Sequence, residues 1–148
     1  MARAQRLRAR SGRMSLCLAA GALTVSLMAD RVTLAWMHSV EKIRWEETWA
    51  QEPGGLRLVE GRVKGSGAGM DPPPEAHLKD GWWRWVPDVP PLGEVVLRRS
   101  GSTADWEVCQ VAAKEWASAT GSAAACRAMG DLVPADADPV RLIPCPGD

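Results

Sequence analysis

The 148-residue chain contains neither tyrosine nor phenylalanine. Phenol chemistry, whether acid–base or radical, is thereby excluded, because tryptophan offers only an N–H donor and a flat apolar face. Histidine is scarce, with only His38 and His77. None of the cysteines forms a Cys-x-x-Cys unit, which argues against a zinc ribbon or a thioredoxin-like site. There is no Gly-x-Ser-x-Gly elbow, so a serine-hydrolase reading has no support. The longest apolar stretch, residues 16–29, falls short of the ~20 residues that a membrane-spanning helix needs. No internal repeat or long low-complexity run is present.

What the chain does have is eight tryptophans and a hydrophobic content of 46%, the composition of one globular domain. The formal net charge of zero hides an asymmetry. Arg3, Arg6, Arg8, Arg10 and Arg13 crowd residues 1–13, which contain no acid; the remaining thirteen basic residues face eighteen acidic ones. Residues 1–13 read as a basic, disordered leader, an RNA- or lipid-touching tail, or sequence upstream of a start at Met14. Residues 14–148 read as a single β domain. Its mildly acidic body argues against a nucleic-acid surface, which needs clustered cations.

Residues 16–29 allow two readings. An arginine-rich region before an apolar run has the outline of a secretory signal, which would send the chain to the periplasm. The alternative is a β-hairpin with its turn at Ala20-Gly21, which would leave the chain in the cytoplasm. Leu27 spoils the cleavage site, and Thr24, Val25 and Ser26 favour a strand, so the hairpin is preferred. Cys17, Cys109, Cys126 and Cys145 allow three pairings. A Cys109–Cys126 bridge in an oxidising compartment would contribute about 3 kcal/mol on the chain-entropy view.

Most of the chain alternates with period two. Val32, Leu34, Trp36 and His38 share one face of a strand. Ile43, Trp45, Glu47 and Trp49 share one face of the next, opposite a wholly polar face of Lys42, Arg44, Glu46 and Thr48. That pattern predicts a sheet with one dry side. Glu52-Pro53-Gly54-Gly55 marks a turn. The strand after it places Leu56 and Leu58 on one face and Val59 and Val63 on the other. The residues after Met70 are proline-rich and predict a loop that includes His77. Residues 81–86, 94–98, 105–110 and 140–143 read as further short strands. Only residues 111–129, rich in alanine and interrupted by Gly121, predict a small helical insert. The fold class is therefore mostly β: an antiparallel sandwich or barrel of about seven to nine strands.

His38 and Glu47 stand out as ionisable groups on apolar faces, where a buried charge needs a partner. They predict either a core pair that fixes strand register or an imidazole oriented by a carboxylate. Glu41 would join them if a bulge intervenes at Ser39-Val40. The loop Gly65-Ser66-Gly67-Ala68-Gly69-Met70 could present backbone N–H groups to an anion, although its spacing is neither a Walker loop nor a dinucleotide fingerprint. Trp82, Trp83 and Trp85 read mainly as core, and at least one must face away from the others.

The blocks His38-Ser39-Val40-Glu41-Lys42, Arg44-Trp45-Glu46-Glu47, Gly65–Met70 and Gly81-Trp82-Trp83 resemble the bacterial domain of unknown function family 1850, over roughly residues 14–100. The family has no established activity. The resemblance implies an accessory role beside a tripartite periplasmic (TRAP-type) organic-acid transporter, with its membrane subunit or a small organic acid as partner. The reading that results is a non-enzymatic accessory or ligand-binding domain with no cofactor, no nucleic-acid partner and no transmembrane span. Its candidate binding residues are His38, Glu41, Glu47, Gly67, Gly69, Met70 and Trp82. The alternatives are a small enzyme or metal-binding protein using a His–Glu pair, and a Trp-rich protein-interaction domain.

Overall fold

The computed structural model describes residues 15–37, 43–65, 73–101, 104–110 and 125–146. These form eleven strands: β1 (Leu16–Ala20), β2 (Leu23–Ser26), β3 (Arg31–Met37), β4 (Arg44–Glu52), β5 (Gly55–Lys64), β6 (His77–Lys79), β7 (Trp82–Trp85), β8 (Val95–Leu97), β9 (Glu107–Gln110), β10 (Ala125–Ala128) and β11 (Val140–Pro144). A 3-10 turn, Met129–Asp131, follows β10. The strands build two antiparallel sheets, one of four in the order β2-β1-β11-β8 and one of seven in the order β10-β9-β3-β4-β5-β7-β6. No barrel closes.

The core lies between the sheets. Leu16 and Leu18 of β1, Leu97 of β8, and Val140 and Leu142 of β11 meet Val32 and Leu34 of β3, Trp49 of β4, Leu56 of β5 and Val108 of β9. Residues 16–29 thus form the expected hairpin, with Gly21 at φ +61° in the turn, a conformation that favours glycine. Strand β1 is buried along its whole length and pairs with β11 on its other side. Disulfides join Cys17 to Cys145 and Cys109 to Cys126.

Three local expectations change. Strand β5 pairs Glu60 with Thr48 but Leu58 with Trp49, so Val59 is an extra residue in the ladder. This bulge reverses the alternation, and Val63 joins Leu58 on the inner face instead of opposing it. His77 lies on the edge strand β6 rather than in a loop, and is exposed as a solvated histidine should be. Residues 125–128, expected at the end of a helical insert, form β10, because pairing with β9 outweighs alanine's helix preference. The rest of that insert, residues 111–124, lies outside the described residues.

Candidate functional site

Residues directly opposite one another in an antiparallel pair share a face. Applied across the larger sheet, this rule gives one continuous row on the outer face: Glu107, Ala35, Glu46, Arg62, Arg84 and His77, from β9 to β6. A second row, Cys126, Cys109, Thr33, Thr48 and Glu60, runs beside it. Lys64 and Trp82 face each other in a third. This is the polar face that alternation in β4 predicts, but it is not a wet one. Glu46 is 2% exposed, Arg62 6% and Thr48 7%. Charges survive there because they are paired.

The pairing centres on Glu46. Its Oε1 accepts from Arg62 Nε at 2.7 Å and lies 2.6 Å from Arg62 Nη2. Its Oε2 accepts from Arg44 Nε at 2.6 Å. Arg44 Nη1 donates to Glu107 at 2.7 Å. Burial alone would lower the Arg44 pKa, but its bonds to Glu46 and Glu107 outweigh that and raise it. The Arg62 guanidinium carbon sits 4.4 Å above the Trp82 ring, and the Lys64 ammonium lies 5.3 Å from the same ring, both within cation–π range. Arg84 closes the cluster with a two-point pair to Glu60 at 2.9 and 3.0 Å.

One donor in this network is left over. Arg62 Nη1 is buried and has no hydrogen-bond partner among the described residues. Glu46 holds the Nε–Nη2 side of the guanidinium, so the Nη1 end is the edge that remains for another acceptor. A buried unpaired donor costs about 1–3 kcal/mol, more when charged. A bound oxyanion that accepts from Nη1 would remove that cost.

The inner face at the same level is of a different kind. Glu47 is opposite Leu34 on one side and Gly61 on the other. Its carboxylate accepts one long bond, from Trp49 Nε1 at 3.3 Å. Desolvation raises its pKa, and the Trp49 bond offsets only part of the rise. Around it stand Trp36, stacked on Trp45 at 6.2 Å, and Trp85, edge-on to Trp45 at 6.5 Å. Gly61 makes room for Trp85: a Cβ there would lie 2.8 Å from the ring. The indole N–H groups of Trp45 and Trp83 are buried without partners among the described residues.

Of the residues singled out from sequence, the structure places Glu47 on this inner face and Trp82 on the outer one, so the sheet separates them. Trp82 is the tryptophan that turns away from Trp83 and Trp85. His38, Glu41, Gly67, Gly69 and Met70 lie outside the described residues. Cys109 and Cys126 are bonded. The sequence reading missed Glu46, Arg62 and Arg44. The signal was present, since Arg44 and Glu46 alternate with tryptophans in β4, but a polar face reads as solvated until its partners on β5 are known. Among the described residues, no cluster of three or more His, Cys, Asp or Glu could hold a metal. No helix among them is long and apolar enough to cross a membrane. None of the described tryptophans is exposed.

The network residues Arg44, Glu46, Arg62, Trp82 and Glu107 all fall within residues 32–116, which match the family described as Domain of unknown function (DUF1850). The chain belongs to that family. The DUF1850 match runs from β3 past β9, and so contains the central strands of the larger sheet. The hairpin β1–β2, strand β10 with Cys126, and β11 lie outside it. No curated protein and no solved structure matches the chain.

Proposed function

We propose that this chain is a non-enzymatic accessory domain that binds a small organic anion on the outer face of its larger sheet, outside the cytoplasm, in association with a TRAP-type organic-acid transporter. The observation that supports the reading is the buried Arg62 with its unpartnered Nη1. An arginine stays charged throughout the physiological pH range, so it suits binding an anion rather than transferring a proton. Lys64 adds a second cation at the exposed end of the cluster, and Trp82 gives both a flat surface to rest on. The bacterial and transporter context comes from the family resemblance of the sequence blocks. Two disulfides favour an oxidising compartment. That compartment is compatible with the hairpin, because Cys17 on β1 is itself bonded to Cys145.

Thermal unfolding of the full chain with acetate, succinate, inorganic phosphate, choline and glucose tests the reading. The organic anions should raise Tm, by the equivalent of about 2.7 kcal/mol at a hundredfold excess over Kd. Lys64→Ala, a change at an exposed side chain, should weaken the effect while lowering the Tm of the free protein only slightly, by the loss of its contact with Trp82. A Tm that no organic anion moves would count against ligand binding. Failure to co-purify with a co-expressed transporter membrane subunit would count against the association.

A further inference from the structure

The two disulfides differ in what surrounds their sulfurs. Cys17–Cys145 ties β1 to the residue after β11, and Cys145 Sγ contacts the Ser26 hydroxyl at 3.9 Å. Cys109–Cys126 joins directly opposed residues of β9 and the edge strand β10. Its two ends are unequal: Cys109 is 0% exposed, whereas Cys126 is exposed. Arg44 Nη2 lies 4.0 Å from each sulfur. The other two nitrogens of that guanidinium are fixed, Nε by Glu46 and Nη1 by Glu107. Nη2 is therefore held against the disulfide.

We propose that Cys109–Cys126 is a thiol–disulfide exchange site whose reaction partner is a dithiol, such as a protein carrying a reduced cysteine pair. This activity is separate from anion binding. The attacking thiolate reaches Cys126 Sγ, the only accessible sulfur of the two. A new S–S bond forms to Cys126, and the electron pair of the Cys109–Cys126 bond leaves on Cys109 Sγ. Arg44 holds the Cys109 thiolate. The partner's second thiol then gives up its proton and attacks the mixed disulfide, releasing the Cys126 thiolate. The partner ends as a disulfide, and Cys109 and Cys126 end reduced by two electrons, taking up two protons when neutral. Exchange runs faster as the leaving thiol becomes more acidic, and an adjacent cation has that effect. Glu46 and Glu107 are the anions facing Arg44 and temper its charge. The Cys17–Cys145 bridge, whose Cys145 Sγ contacts the neutral Ser26 hydroxyl, serves as the internal reference.

The test treats the oxidised full chain with dithiothreitol at neutral pH, quenches with an alkylating reagent and maps the labelled cysteines by mass. A parallel sample with glutathione traps the mixed disulfide. Cys109 and Cys126 should be labelled about three- to tenfold faster than Cys17 and Cys145, as expected when a neighbouring cation stabilises the leaving thiolate. The glutathione adduct should sit on Cys126. Arg44→Gln should remove most of the rate difference and Arg44→Lys should keep most of it. Equal rates for the two bridges, an adduct on Cys109, or an Arg44→Gln rate equal to wild type would each overturn the assignment. If Arg44→Gln does not fold, the adduct position in the wild-type chain decides.

Discussion

Glu46 and Glu47 are neighbours in the chain but occupy opposite electrostatic environments. The pleat of β4 sends Glu46 to the outer face, where two arginines bind its two oxygens. It sends Glu47 to the inner face, where one indole N–H is its hydrogen-bond donor and tryptophans surround it. Both carboxylates lose water on folding. Glu46 exchanges that water for charge-assisted bonds, whereas Glu47 recovers only part of the loss. Burial by itself therefore does not mark a functional carboxylate. What distinguishes the outer face is that its pairing leaves a cation with an unused edge, Arg62 Nη1.

The sharpest way to break the contrast is to remove Glu46. Glu46→Ala leaves Arg62 and part of Arg44 buried without their anion and should cost about 3–5 kcal/mol in denaturant unfolding. The double variant Glu46→Met with Arg62→Met should recover most of that, since no charge is then left alone. A double variant as unstable as Glu46→Ala would mean that side-chain shape, not charge pairing, sustains the face.

A second effect tests the inner face. Gly61→Ala drives a methyl group into the Trp85 ring, and packing errors of this kind cost about 1–3 kcal/mol. It should also change the near-ultraviolet circular dichroism, because Trp85 contacts Trp45. The outer-face pairs of Glu46 should survive it, so anion-dependent stabilisation should persist in the variant.

The smallest effect has the opposite sign. Glu47 has a raised pKa in the folded chain, so above that pKa the folded state carries a charge it disfavours. Stability from this group falls as pH rises from the unfolded carboxylate value through the folded one, and is restored on acidification. Glu47→Gln keeps an oxygen for the Trp49 N–H and removes the charge. It should stabilise the chain modestly at neutral pH, and the gain should vanish once the pH falls below the ordinary carboxylate range. A gain independent of pH would show that charge is not the cause.

Much of the fold could be read from the sequence because alternation is clean where strands have one packed face. Strands β3 and β4 followed from it, whereas the hairpin at 16–29 followed from the strand preference of Thr24, Val25 and Ser26. What failed to show was non-local. The Val59 bulge leaves no mark in composition, yet it decides which face Val63 and Arg62 occupy. Strand β10 carries alanines that favour a helix and is fixed by pairing with β9. Cysteine pairing depends on register: Cys109 and Cys126 stand opposite each other, while Cys145 follows β11 where it runs beside β1. The site was only half legible for the same reason. An ionisable residue on an apolar face drew attention to Glu47 and a run of tryptophans to Trp82, but the Arg44–Glu46–Arg62 cluster exists only once β4 and β5 are aligned.

The claim on which the functional account rests is that the buried Arg62 guanidinium, unpartnered at Nη1 among the described residues, takes up an oxyanion there. Side-chain nitrogen-15 NMR of the full chain during a succinate titration examines this directly, with the half-exposed Arg57, paired to Glu52, as reference. The account expects the Arg62 Nη signals to move saturably while those of Arg57 stay still. Arg62 signals that do not respond, or that drift in parallel with Arg57, would contradict it.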